Sequence, residues 1–161
     1  MKIKLLPGFT LVELLVAISL VGILSGIGIT SFINFRQNQI VNQAASQIVQ
    51  DLRLTQSMAL NGQKPTGCSQ LQGYFFKLDL SGRTYKIYAE CTGGCPSGCS
   101  EGNPAKSDKV SDKLTLSGFT LVEFKVLNRG IVTTGGSKLD VTGFTKKKTV
   151  TIDQSGGTIS L

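Results

Sequence analysis

Three features of this 161-residue chain predict an α+β fold. An uninterrupted apolar run lies near the N-terminus, an amphipathic stretch follows it without a breaker, and short alternating segments separated by turn residues begin after Gly62. The expected architecture is one long N-terminal helix, membrane-spanning in its first half and amphipathic in its second, with the second half packed on an antiparallel β-sheet. The composition fits a folded protein, with 40% hydrophobic and 17% charged residues and a formal net charge of +7. Histidine and tryptophan are absent, and the four cysteines are Cys68, Cys91, Cys95 and Cys99. The side-chain chemistry available is therefore narrow.

The first helix rests on GFTLVELLVAISLVGILSGIGITSFI, in which Glu13 is the only ionisable side chain between Phe9 and Ile33. About 20 apolar residues suffice to cross a bilayer as a helix, and this run exceeds that. Ahead of it stands MKIKLLPG, whose Lys2 and Lys4 favour a cytoplasmic N-terminus. The Ser25 to Gly28 stretch is a poor imitation of a secretory cleavage site, so the apolar run is expected to be retained. A carboxylate five residues into such a run costs ~2.5–3.5 kcal/mol if it sits centrally and unpaired, so Glu13 needs a cationic partner. A free α-amine at Phe9, created by cutting the chain after Gly8, would supply one.

MKIKLLPG followed by FTLVELLVAI resembles the class III signal of type IV pilins and type II secretion pseudopilins. The resemblance implies a leader, residues 1–8, that prepilin peptidase removes after Gly8 and a new N-terminus at Phe9 that the same enzyme methylates. Glu13 then takes the acidic position of the mature helix. Residues 9–33 become the transmembrane and polymerisation helix. Where many pilins have a helix-disrupting proline this chain has Thr30, while Gly22, Gly26 and Gly28 either loosen the helix or permit close packing. The implied partners are prepilin peptidase, other pilins or pseudopilins, an inner-membrane assembly platform and membrane lipid. The implied location is the cytoplasmic (inner) membrane, single-pass with the head outside, and then a filament or pseudopilus.

Residues 34–62 continue the helix in amphipathic form. Val41, Ala45, Ile48, Leu52 and Ala59 form a stripe at 3.6-residue spacing, flanked by Ile40, Ala44, Val49 and Met58, with Asn42, Gln43, Ser46, Gln50 and Arg53 opposite. Asn61-Gly62 is the expected stop, with Pro65 beyond it. One helix from near Phe9 to near Asn61 would be ~80 Å long at 1.5 Å per residue. Leu54 and Leu60 sit off the stripe. From Gln50 to Pro65, the rhythm of Leu52, Arg53, Ser57, Ala59 and Gly62 is similar to the end of the long helix in H-class minor pseudopilins.

Residues 63–161 are expected to form a β-rich head. Tyr74, Phe76, Leu78 and Leu80 alternate on one face, Ser81-Gly82 turns the chain, and Tyr85, Ile87 and Ala89 continue the alternation. Val150 and Ile152, then QSGG, then Ile159 and Leu161 predict a closing hairpin. The hexapeptide GFTLVE recurs as Gly118 to Glu123, now followed by Lys125 and Arg129, so no membrane segment begins there. Val122, Phe124 and Val126 alternate with Leu121, Glu123 and Lys125, which predicts a half-buried strand.

Residues 91–112 are rich in Gly, Ser and Pro and predict an exposed loop. In an exported head, two disulfides are the leading reading of the four cysteines, and three pairings are open. The parity that Cys91 shares with Ala89 favours its reaching Cys68. A zinc site is the rival reading, but C-x3-C-x3-C is not the usual knuckle spacing and no histidine is available. Calcium at Glu101, Asp108 or Asp112 lacks a spaced carboxylate motif. No catalytic constellation appears, since there is no triad histidine, nucleophile elbow or phosphate loop, and neither enzymatic activity nor a cofactor is expected. Lys146, Lys147 and Lys148, near Phe144, form a basic run. It reads as a solvated strand edge or, alternatively, as the DNA contact of a minor pilin serving uptake. The leading expectation is a pilin-like structural subunit of a type IV pilus or type II secretion pseudopilus, assembled through its N-terminal helix.

Overall fold

The computed structural model describes residues 8–93, 95, 97–128, 130–153 and 159–161. Most of the leader, Arg129 and the QSGG turn lie outside them. The chain divides into two compact units, Met1–Arg36 and Gln37–Leu161. One helix, α1, spans Leu11–Leu60, and its backbone is helical through the positions of Gly22, Gly26, Gly28 and Thr30. Thr10 opens it, its Oγ1 accepting the Glu13 N–H at 3.2 Å, which satisfies one of the amide donors that a helix start leaves free. At the other end Gly62 takes φ +58°, the Gln63 N–H donates to Met58 O and the Gly62 N–H donates to Ala59 O. This paired closure suits glycine, because a side chain is disfavoured in the left-handed region.

The second unit is an α+β head with two antiparallel sheets where one was expected. Nine strands are described: β1 (Gln70–Asp79), β2 (Thr84–Thr92), β3 (Lys106–Lys109), β4 (Thr115–Gly118), β5 (Leu121–Lys125), β6 (Ile131–Thr134), β7 (Lys138–Gly143), β8 (Lys146–Ile152) and β9 (Ile159–Ser160). The first sheet has the order β3-β2-β1-β5-β6 and the second β4-β7-β8-β9. The α1 residues Val41, Ala45, Ile48, Leu52 and Ala59 join one core with Tyr74, Phe76, Leu78, Tyr85, Ile87 and Ala89 of the β1–β2 hairpin. Leu139, Val141, Val150, Ile152 and Ile159 extend that core from the second sheet. The Phe76 and Tyr85 rings stack with centroids 5.0 Å apart. In the hairpin turn, Asp79 Oδ1 accepts the N–H groups of Ser81 and Gly82 and the Ser81 hydroxyl, fixing the bend by a local side-chain bond.

The second GFTLVE differs from its expected form. Strand β5 ends at Lys125, and Val126 enters a 3-10 turn, Val126–Asn128, with Leu127 at φ 55°. The hexapeptide begins before β5, because Gly118 closes β4 in the second sheet and Leu121 opens β5 in the first. Phe119 and Thr120 carry the chain between sheets, and Phe119 is fully buried. Gly118 has φ +139°, and a Cβ there would lie 2.1 Å from Lys138 O, so only glycine fits. A second crossing, Gly135 to Ser137, runs alongside. Phe119 N–H donates to Lys138 O, Thr120 N–H to Thr134 O, and Leu78 N–H to Thr120 O. The backbone groups of the Phe119–Thr120 crossing are thus satisfied by the ends of β6 and β7 that flank the second crossing and by β1.

The 91–112 segment is also more structured than expected. Cys91 belongs to β2, Lys106–Lys109 form β3 against it, Ser100 and Asn103 make an isolated bridge, and Val110 is buried. The polar sequence KSDK gives little sign of a strand. Pairing with β2, at Thr84↔Lys109 through Ile87↔Lys106, makes it one.

Candidate functional site

In the first unit, every described side chain from Phe9 to Arg36 is exposed. Phe9 is 84% exposed, and Leu11, Val12, Leu14 and Leu15 continue an apolar surface that extends to Phe35. Water strongly disfavours such a surface, at roughly 25 cal/mol per Å². The helix is long and apolar enough to cross a membrane. Two of its hydroxyls are satisfied within the helix, since Ser19 donates to Leu15 O and Ser25 to Val21 O. Hydroxyls bonded in this way need no outside partner in hydrocarbon. Arg36 stands over the Phe32 ring at 6.0 Å, placing a cation at the end of the apolar run.

Glu13 sits in the first turn of α1, where a carboxylate is favoured by the exposed N–H groups and the helix dipole. Thr10 and Glu13 together form a Thr-x-x-Glu capping signature that the sequence reading passed over. Glu13 is exposed, so its charge is available to a group outside this chain's own head.

In the second unit, Cys68 is joined to Cys91 and Cys95 to Cys99. Cys68 lies in the turn after α1, its N–H donating to Pro65 O. Cys91 faces Leu71 across the β1–β2 ladder. The sulfurs of Cys68, Cys91 and Cys99 lie within 4.8 Å of one another. The carboxylates considered for calcium are each engaged by a different group. Glu101 pairs with Lys77 at 2.5 Å and Asp112 with Lys109 at 2.9 Å, while Asp108 accepts from Gln47 Nε2 at 2.6 Å.

Lys146, Lys147 and Lys148 occupy the exposed start of β8. Lys147 is paired with Asp140 at 2.8 Å, and this bond, helped by the Thr149 hydroxyl, holds the Asp140 carboxyl below its ordinary range. The turn before them places Phe144 at φ 52° and Thr145 at φ 66°, where L side chains are disfavoured.

A buried polar group was missed altogether. Asp51, 5% exposed, accepts the Tyr85 hydroxyl at 2.5 Å and both contacts of Lys106 Nζ at 2.6 and 2.8 Å. Burial, then the bond to Asp51, pushes the Tyr85 phenol far above its ordinary range. The carboxylate ties α1 to β2 and to the edge strand β3. Its position three residues after Ile48 and four before Thr55 is the available signal, since that spacing puts it on the buried stripe. Arg53, expected on the solvent face, donates through Nη2 to Ile159 O at 3.0 Å.

Among known families, the prokaryotic N-terminal methylation motif matches residues 7–29. No curated protein matches the chain. Among solved structures, the chain is similar to the minor pseudopilin EpsH from the type 2 secretion system of Vibrio cholerae. The two are 13% identical with a TM-score of 0.48, and the match covers 74% of this chain and 94% of that one.

Proposed function

We propose that this chain, which carries the prepilin-type N-terminal segment of type IV pilins and type II secretion pseudopilins, is a structural subunit of a type IV pilus or pseudopilus. One observation carries the reading: the methylation motif opens a helix whose described apolar side chains from Phe9 to Phe35 are all exposed. Prepilin peptidase cuts after Gly8 and methylates Phe9. The helix holds the subunit in the cytoplasmic membrane, with the head outside, until an inner-membrane assembly platform moves it into a filament.

Packing of these helices against one another replaces lipid contacts with close side-chain contacts. The Phe9 amine of one subunit neutralises Glu13 of its neighbour. In low dielectric an unpaired carboxylate is costly, so a register that pairs amine and carboxylate is favoured over one that leaves either alone. The charge pair thereby sets the axial offset between subunits. A DNA contact at Lys146 to Lys148 is not favoured, because Lys147 already spends its charge on Asp140.

Intact mass and N-terminal peptide mass of the protein from its native membrane test the processing step. The expected N-terminus is methylated Phe9. A chain still beginning at Met1 overturns the reading, as does normal assembly of Glu13→Ala.

A further inference from the structure

The two disulfides of the head are close enough to react with each other. The sulfurs of Cys68, Cys91 and Cys99 lie within 4.8 Å, although Cys99 is bonded to Cys95 and not to either of the others. Thiol–disulfide exchange needs a sulfur that can approach one end of a neighbouring S–S bond, and here that sulfur is already in place.

Backbone contacts hold Cys99 there independently of its own bridge. Gly98 is buried, its carbonyl accepts the Ala89 N–H of β2 at 2.6 Å, and its own N–H donates to Asn103 O at 2.9 Å. At φ +82° a Cβ on Gly98 would touch Pro65 and Ala105 at ordinary contact distance. Residue 98 is thus fixed against the strand that carries Cys91 and against the turn that carries Cys68. Releasing Cys95 would leave Cys99 beside both.

We propose that Cys95–Cys99 is the internal oxidant of the Cys68 and Cys91 thiols. The two bridges differ in how readily a chain can close them, since Cys95 and Cys99 are 4 residues apart and Cys68 and Cys91 are 23 apart. The short closure costs less chain entropy and forms first. The Cys68 thiolate then attacks Cys99 Sγ. The Cys68–Cys99 bond forms, the Cys95–Cys99 bond breaks, and Cys95 leaves as a thiolate and takes up a proton. The Cys91 thiolate next attacks Cys68 Sγ, forming Cys68–Cys91 and releasing Cys99, which is protonated in turn. Two thiols and one disulfide enter and leave, so the transfer itself needs no outside oxidant. A disulfide-bearing oxidant then closes Cys95–Cys99 again. The inference concerns the head alone and does not depend on filament assembly.

The test uses the full chain in detergent micelles. In folded Cys95→Ser, prepared oxidised and treated with iodoacetamide, peptide mass mapping is expected to find label shared between Cys99 and Cys91, the thiol freed when Cys99 bonds Cys68. In reduced protein refolded with glutathione disulfide, acid-trapped time points are expected to show Cys95–Cys99 before Cys68–Cys91. Formation of the latter should slow on the order of tenfold in the Cys95→Ser, Cys99→Ser double variant, which lacks the tethered sulfur partner. Label confined to Cys99, or an unchanged rate in the double variant, overturns the proposal. The labelling measurement is made on already folded protein, so it stands even if the double variant refolds poorly.

Discussion

The two copies of GFTLVE put the same six residues to opposite uses. At Gly8 to Glu13 nothing lies within 4 Å of a Cβ built on the glycine, the side chains are exposed, and Thr10 caps a helix that Glu13 helps to start. At Gly118 to Glu123 the glycine is wedged against Lys138 O, the phenylalanine is buried, and the threonine backbone is taken up by Thr134 O and the Leu78 N–H. Both carry the Thr-x-x-Glu capping signature, but only the first becomes a helix start. Cap and dipole are worth about 1 kcal/mol each, whereas the sheet crossing offers the second copy three backbone bonds and a buried aromatic ring. Local preference yields when distant partners are already placed.

The comparison breaks most sharply at the glycines. Gly118→Val is expected to destabilise the head by about 4 kcal/mol or more, through backbone collision and a disfavoured φ together. Near-UV circular dichroism of the tyrosines during thermal unfolding of the detergent-solubilised chain would read this. Gly8→Val should leave that melting curve unchanged and remove the processed species from the mass spectrum. At the phenylalanines, Phe119→Ala should cost about 3–5 kcal/mol by the same melting measurement, and Phe9→Ala should cost the head nothing. At the glutamates the order reverses in function. Glu13→Ala should abolish helix-to-helix cross-linking in membranes, while Glu123→Ala should change head stability by no more than about 0.5 kcal/mol.

The smallest effect concerns pH. The Asp140 carboxyl is held down by Lys147 and Thr149, so its stabilising contribution is fully present above the ordinary aspartate range and is lost as pH falls through its depressed folded value. Asp140→Asn should therefore flatten the acid limb of the stability curve and lower stability modestly at neutral pH, with the variant and parent curves converging below about pH 4. A variant that matches the parent at pH 7 and differs from it only in acid would assign Asp140 a different role.

Legibility in the sequence followed the range of the interactions. The helix stripe, the Asn61-Gly62 stop and the Tyr74 to Ala89 hairpin could be read because each is set by spacings of four residues or by a single turn. Cys91 was matched to Cys68 by strand parity, which the geometry shares. By contrast β3, β4, β6 and β7 are only four to six residues long, and KSDK has no apolar face to read. They are strands because of neighbours elsewhere in the chain. Asp51 sat visibly on the buried stripe, but its partners Tyr85 and Lys106 come 34 and 55 residues later. The same holds at the candidate site. Gly8, Phe9 and Glu13 form one contiguous signal, whereas the sulfur cluster depends on the fold that brings 68, 91 and 99 together.

Strand β1 takes one neighbour from the residues just after it and the other from far along the chain, with Asp79 opposite Thr84 on one edge and Gly73 opposite Lys125 on the other. A head delivered N-terminal end first therefore acquires the β1–β2 ribbon early, since a hairpin closes in microseconds, and waits for β5 to close the far larger loop. Until residue 125 arrives, one edge of β1 has no strand beside it. The sheet order thus works as a timetable, in which the open edge of β1 waits for the second GFTLVE and the core residues of the second sheet, Leu139 to Ile159, follow it.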